Sequence, residues 1–257
     1  MALLARTRIH VWFRLLLLQG SWNFERLQGL GFFYALLPAL KKLYSKDQLP
    51  NVAKEYVGYF NTHPYLAPLV AGTVLKLEEE RAGGGQPGQV AIEEFKEMVA
   101  APYAAIGDAL FWGGLRPLAA GIALFFAAKG IMWAPLVFLL VYNIVPVAFR
   151  ISGFMRGYQQ GIHSVEFFQR RRLPDWAIHT KETAVVVLGG LSAFLVFQYL
   201  QQRELVSWFG LLTLLPVIML GLLARRGIST LLLTLLSAIV IILLSLFWAD
   251  VTRLIAM

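Results

Sequence analysis

The sequence predicts an all-α integral membrane protein, with re-entrant or broken helices in its N-terminal half followed by about four transmembrane helices. Three observations predict it. Apolar residues make up 58% of the 257 and the mean hydropathy is +0.64, more than the core of an ordinary soluble domain uses. After residue 130, four apolar stretches each approach or exceed the ~18–20 residues a helix needs to cross a bilayer. Before it, polar clusters at 19–28, 61–64 and 107–117 interrupt apolar structure; groups of this kind need protein, cavity water or a membrane surface as partner. The net charge of +8 falls in short clusters beside apolar runs. It therefore marks membrane flanks, with no nucleic acid as partner. The absence of Cys excludes disulfides and thiolate metal sites, and the His residues have no metal spacing, so no metal and no cofactor is expected.

In chain order, Arg6, Arg8 and Arg14 surround an apolar run without a small-residue cleavage site, which predicts a retained interfacial helix. Helical spacing then runs from Trp22 to Tyr44, with Gly20 and Ser21 as cap, Pro38 as kink and Lys41 and Lys42 at the negative end. On that helix Trp22, Glu25, Arg26 and Gly29 share a face, and adjacent Glu25 and Arg26 do not pair with each other. Ser45 to Gln48 has capping-box spacing and predicts a helix to about Phe60. Asn61-Thr-His-Pro64 breaks it, and Thr62 with Pro64 starts a third helix whose apolar face runs through Val74 and ends at Glu78, Glu79, Glu80 and Arg81. Gly83 to Gly85 with Pro87 reads as a loop, which makes 76–97 aqueous. Pro102 to Ala128 is long enough to span but holds Gly107, Asp108, Gly113, Gly114, Arg116 and Pro117. On a continuous helix Asp108 and Arg116 lie ~12 Å apart, too far for an ion pair, and the glycines predict a broken or re-entrant segment.

The ordinary spans are Ile131–Phe149, Thr183–Leu200, Leu205–Leu223 and Gly227–Ala249. The basic stretch 150–182 and the turn at Arg225 and Arg226 go to the cytoplasm by the positive-inside rule, with Gln201 to Glu204 and the C-terminus outside. Gly189 and Gly190 predict close helix packing.

Gln19-Gly-Ser-Trp-Asn-Phe-Glu-Arg-Leu-Gln28, Phe60-Asn-Thr-His-Pro64, Leu77-Glu-Glu-Glu-Arg81 and Gly107-Asp-Ala-Leu-Phe-Trp-Gly-Gly-Leu-Arg-Pro117 follow one another in this order. In these motifs, and on through Arg156 to Ile162, the chain closely resembles the IID membrane component of mannose-family phosphotransferase systems. The resemblance implies a multi-pass subunit of the bacterial cytoplasmic (inner) membrane. It pairs with a IIC subunit, forms a trimer of IIC-IID pairs and holds a mannose-like hexose. Soluble IIA and IIB proteins phosphorylate that sugar on import with phosphate from phosphoenolpyruvate. This chain is then a non-catalytic membrane subunit with no phosphoacceptor. Residues 1–128 form the polar-motif half that meets substrate and IIC, and 129–257 the transmembrane half with the basic loop 150–182. One departure stands out: family sugar transporters carry a longer polar segment where this chain has only Gln201 to Glu204. It supports a second reading, a non-transporting sensory or regulatory subunit that docks phosphotransferase-system proteins.

The candidate residues of the substrate site or translocation path are Trp22, Asn23, Glu25, Arg26, Gln28, Asn61, His63, Asp108 and Arg116. For the first five, sugar contact and a polar network locking IIC are both open, since buried charge in a membrane protein serves a substrate route or a partner. His63 is the right nucleophile for a phosphohistidine, but its place at a helix start fits a hydrogen-bonding corner, and the resemblance assigns phosphotransfer to other subunits. Asp108 and Arg116 serve either the substrate at a helix break or as caps and snorkelling groups at helix ends.

Overall fold

The computed structural model describes residues 3–84, 91–170 and 172–255, with side chains outside 167–169 and 248–255. Gly85 and Pro87 of the expected loop, and Arg171, lie outside the described residues. The all-α class is borne out: apart from isolated bridges at Asn23, Leu27 and Phe60, the described residues form helices and turns. Among the described residues, five helical stretches are long and apolar enough to cross a membrane: Ile92–Ala128, Ala134–Glu166, Leu173–Gln202, Ser207–Arg225 and Thr230–Phe247. Four match the expected spans. The fifth contains the 102–128 segment, which runs continuously through a π-helical turn and is not re-entrant.

The chain divides into two compact units, Met1–Leu191 and Ser192–Met257. The first opens with α1 (Ala5–Leu15), α2 (Gly29–Leu43) and α3 (Leu49–Lys54), then α4 (Ala67–Ala82). The Ser45 capping box is present, with Ser45 N donating to Gln48 Oε1 at 3.1 Å and Gln48 N to Ser45 Oγ at 3.3 Å. The helix it starts ends at Lys54, short of the expected Phe60, because the next amides switch to three-residue turns and Lys96 Nζ takes the Glu55 carbonyl at 2.7 Å.

Every residue of α4 from Ala67 to Leu75 is buried, so this stretch has no solvent face, contrary to an amphipathic reading, and forms the centre of this unit. Next come α5 (Ile92–Gly107), the π-helical Asp108–Leu115, α6 (Arg116–Ala128) and α7 (Ala134–Gln160). Glycines let α4 and α7 touch backbone to backbone: a Cβ on Gly157 would lie 2.3 Å from the Leu69 oxygen, and one on Gly72 2.3 Å from the Phe154 oxygen. A backbone neighbour cannot yield as a flexible side chain would. Gly157→Leu is therefore expected to cost about 3 kcal/mol, the upper part of the overpacking range, read as a lower thermal midpoint of the solubilised protein. Gly189 and Gly190, by contrast, face open space and make no close helix approach among the described residues.

In the 76–97 region, expected to be aqueous, Glu80 to Gly84 are exposed but two of the acids are not. Glu78 is 0% and Glu79 7% exposed, because each carboxylate meets a different wall. Glu78 accepts the hydroxyls of Tyr44 and Tyr56, with Arg81 Nη1 3.7 Å away, and Arg81 forks onto Glu55 at 2.7 and 2.9 Å. Glu79 accepts from Tyr158 Oη at 2.6 Å and from Leu3 N. Burial first, and then the bond to Glu78, pushes the Tyr44 hydroxyl up; burial and the Glu78 charge do the same to Tyr56. Both phenols therefore stay protonated as donors.

The basic stretch 150–182 is mostly helical: α7 continues to Gln160, a 3₁₀ turn covers Gly161–His163, and α8 (Ser164–Arg170) and α9 (Leu173–Gln202) follow. Arg150 is not a loop residue; its guanidinium lies 4.7 Å over the Tyr65 ring. The second unit holds the end of α9, a 3₁₀ turn at Ser207–Thr213, α10 (Leu214–Arg225) and α11 (Thr230–Ile255). Its apolar side chains point outward, Leu211 65% and Ile241 65% exposed among them, as lipid-facing helices do.

Candidate functional site: a polar corner and its cavity

The 22–28 segment is a turn, not the start of a helix. Asn23 Oδ1 accepts from Glu25 N at 3.1 Å and Arg26 N at 2.9 Å, and Leu27 N returns to the Asn23 carbonyl at 2.9 Å. An Asn side chain that captures these amides competes with the helix ladder. Leu27 adopts φ +48°, and α2 begins only at Gly29, preceded by Gln28 in place of Gly20 or Ser21 and without a side-chain cap. The shared helical face of Trp22, Glu25, Arg26 and Gly29 therefore does not exist, and Glu25 and Arg26 approach each other at 3.6 Å. Side chains there are outward: Trp22 is 45% and Phe24 91% exposed, their rings edge-on at 5.1 Å.

Gln28 goes the other way. Its Nε2 donates to the Thr62 carbonyl at 2.6 Å, Thr62 N donates to its Oε1 at 3.1 Å, and its own N donates to the Phe60 carbonyl at 2.8 Å. These bonds hold the turn to Asn61-Thr-His-Pro64.

In that segment His63 is 1% exposed. Its ring stacks on Phe111 at 5.0 Å and meets Trp112 and Tyr65 edge-on at 4.8 and 4.9 Å. Gly107 makes room, since a Cβ there would lie 2.2 Å from His63 Cγ. The Tyr65 amide donates to Nδ1 at 3.2 Å, which puts the ring proton of the neutral form on Nε2. That nitrogen has no hydrogen-bond partner among the described residues and faces Asp108 Oδ1 at 3.9 Å. Burial first, then Arg150 and Arg116, brings the His63 pKa down to about 4, so the contact is a neutral N–H beside a carboxylate. A free chain binds this proton near pH 6.5, whereas the folded one resists it down to about pH 4. The His63 contribution is therefore complete above pH 6.5 and is lost as pH falls from 6.5 to 4. Thermal melts across that window should fall with pH, and His63→Gln should flatten the slope.

The π-helical turn presents Asp108. The Arg116 amide reaches back five residues to the Phe111 carbonyl, just before Pro117, which has no N–H for the ladder. The Arg116 guanidinium lies 5.3 Å over Trp112 and 5.9 Å from the Tyr142 ring, away from Asp108 as the spacing required. Tyr142 and Tyr65 share a hydroxyl contact of 3.0 Å.

Asp108 and Asn61 both line a cavity of about 480 Å³. Tyr59 and Phe60 line one side, and Glu93, Lys96, Glu97, Ala100, Ala101, Ala104 and Ala105 of α5 the other. Of the expected residues, these two are brought together with His63 behind them. Gln28 is one bond network away, and Trp22, Asn23, Glu25, Arg26 and Arg116 do not line the cavity. Sequence reasoning missed Glu93, Lys96 and Glu97. A signal exists: 93, 97, 100, 101, 104, 105 and 108 fall on one helical face at three- and four-residue steps, with acids at both ends and alanines between. Carboxylates, an amide, an ammonium and aromatic rings around a cavity of this size form hydrogen bonds with a polyhydroxylated molecule. No metal-holding cluster of His and acids occurs among the described residues.

Helices long and apolar enough to span, a corner that exposes Trp22 and Phe24 and a polar cavity beside Asn61 and Asp108 define a helical membrane protein with a polar site. Residues 2–251 match the family described as the PTS system mannose/fructose/sorbose family IID component, and the chain belongs to that family. It is 38% identical over 158 residues to the mannose-specific EIID component of Escherichia coli K12, covering 61% of this chain and 56% of that protein. It is 32% identical over 175 residues to the fructose permease IID component of Bacillus subtilis, covering 68% and 64%. The aligned part thus spans little more than half the length of the Escherichia coli relative. Among solved structures it is similar to a chain of the mannose transporter ManYZ in complex with microcin E492, at 28% identity, TM-score 0.60 and coverage of 94% and 96%. A structure described as a membrane protein matches at the same identity and coverage with TM-score 0.75.

Proposed function

We propose that this chain is the IID subunit of a mannose-type permease, which pairs with IIC to bind and translocate a hexose that soluble IIA and IIB proteins phosphorylate on import. The family match over residues 2–251 carries the reading. Trimers of IIC-IID pairs in the inner membrane, with 150–182 facing the cytoplasm, complete the assembly. Residues 1–128 form the substrate and IIC side and 129–257 the membrane anchor.

In this reading the candidate residues divide by role. Trp22, Asn23, Glu25 and Arg26 meet IIC or sugar at the boundary, Asn61 and Asp108 line the sugar path, and His63, Gln28 and Arg116 hold it in shape. When the chain is co-expressed with a IIC subunit, the two should purify together and the pair should bind labelled mannose. A pair that forms and binds none of a set of hexoses would contradict the transport reading. A sensory subunit docking phosphotransferase-system proteins is the second reading. It is favoured by the short link from Gln202 to Ser207 between α9 and the next helical turn.

A further inference from the structure

A second cavity, of about 390 Å³, lies between α1 and α7. Ile9, Trp12, Ile151, Phe154 and Met155 make its walls apolar, and Arg8 stands at its edge. The Arg8 guanidinium lies 4.5 Å over the Tyr158 ring, while its Nε is buried with no hydrogen-bond partner among the described residues. Glu79 is the acid nearby, but it is occupied by Tyr158 Oη and Leu3 N, and no ion pair joins it to Arg8 among the described residues. Arg14 is engaged with His10 at 3.1 Å and the Tyr34 carbonyl at 3.0 Å; Arg8 has no such bond among the described residues.

The surroundings select the occupant. α1 carries Arg6, Arg8 and Arg14 and no acid, and Leu4, Ile9 and Phe13 project from it at 75%, 56% and 57% exposure. A basic helix with an uncovered apolar row lies in a membrane interface. α7 belongs to a stretch long enough to cross the bilayer, so the groove between them opens where lipid is the solvent. An apolar slot with one unpaired cation at its rim complements an acyl chain joined to a negative headgroup.

The geometry points to a site for an anionic phospholipid in this groove, with its phosphate on Arg8 and an acyl chain against Trp12, Phe154 and Met155. The lipid supplies the acceptor that Arg8 Nε lacks and fastens α1 to α7. Lipid would thereby hold the helix whose neighbour Leu3 closes on Glu79.

The full chain in nanodiscs of uncharged lipid tests this with traces of brominated-acyl phosphatidylglycerol or brominated-acyl phosphatidylcholine. The readout is the quenching of the Trp12 component, defined by difference from Trp12→Phe. Phosphatidylglycerol should quench at about fivefold lower mole fraction, the worth of one basic side chain at an anionic surface. Arg8→Gln should bring the two lipids to parity, Arg8→Lys should keep most of the preference, and Arg6→Gln should leave it unchanged. Equal quenching by both lipids in the parent protein would overturn the site. So would an equal loss in Arg6→Gln, which means general surface attraction, or displacement of the preference by inorganic phosphate, which means a free-anion site. A Trp12 component that neither lipid quenches would also overturn it, since protein then covers the groove.

Discussion

Asp108→Ala is expected to lower hexose uptake by about 10- to 100-fold at an unchanged amount of assembled protein, the loss of one charge-assisted hydrogen bond of about 1.5–3 kcal/mol. Asp108 is one of the carboxylates that line the cavity. Its side chain is 56% exposed, and the neighbouring His63 offers a neutral N–H at 3.9 Å, so the oxygens are open to sugar hydroxyls. Asp108→Asn keeps the shape and one acceptor and should fall between. The comparison isolates the chemistry because Asp108 is exposed and its removal opens no core. Gly107→Ala provides a second route to the same loss without removing a polar group: the added methyl meets the His63 ring at 2.2 Å and pushes it and Asp108 apart. Initial rates of labelled hexose entry, normalised to co-purified IIC, measure both.

Glu78→Ala is expected to abolish the folded subunit, not to slow it. The residue is fully buried and gathers the Tyr44 and Tyr56 hydroxyls from the two sides of the α2–α3 corner. Removing it leaves those donors without an acceptor and Arg81 with only Glu55, a change that costs about 3–5 kcal/mol when one partner of a buried charged network is deleted. Glu80→Ala, two residues on and exposed, is a control expected to stay within about 0.5 kcal/mol. Recovery of monodisperse protein after heating in detergent distinguishes the two.

What was legible in the sequence follows from the range of the forces involved. Apolar length alone marks the four spans, and the Ser45 and Gln48 side chains close their capping box because both partners are three residues apart. Pro117 and the glycines before it marked the interruption at 107–117, although the chain answers it with a π turn and not a re-entrant loop. Partners distant in sequence were invisible. Glu78 and Glu79 looked like the wet end of a helix because their tyrosines and the Leu3 amide lie between 22 and 79 residues away. The 22–28 pattern predicts helix, but the Asn23 side chain takes the Glu25 and Arg26 amides and turns the chain instead. The cavity was half legible: Asn61 and Asp108 stood out as polar interruptions, whereas Lys96 hid in a charged run until Tyr56 and Glu55 were placed beside it, with its Nζ 4.8 Å from the Tyr56 ring.

Uptake of labelled hexoses by membrane vesicles carrying this chain with a IIC subunit, in the presence of phosphoenolpyruvate and the soluble relay proteins, tests the permease reading most directly. The expected result is phosphoenolpyruvate-dependent accumulation of sugar phosphate, about 10- to 100-fold lower in Asp108→Ala vesicles and accompanied by no label on this chain from radioactive phosphoenolpyruvate. Vesicles with an intact phosphorelay that accumulate none of the hexoses would contradict it.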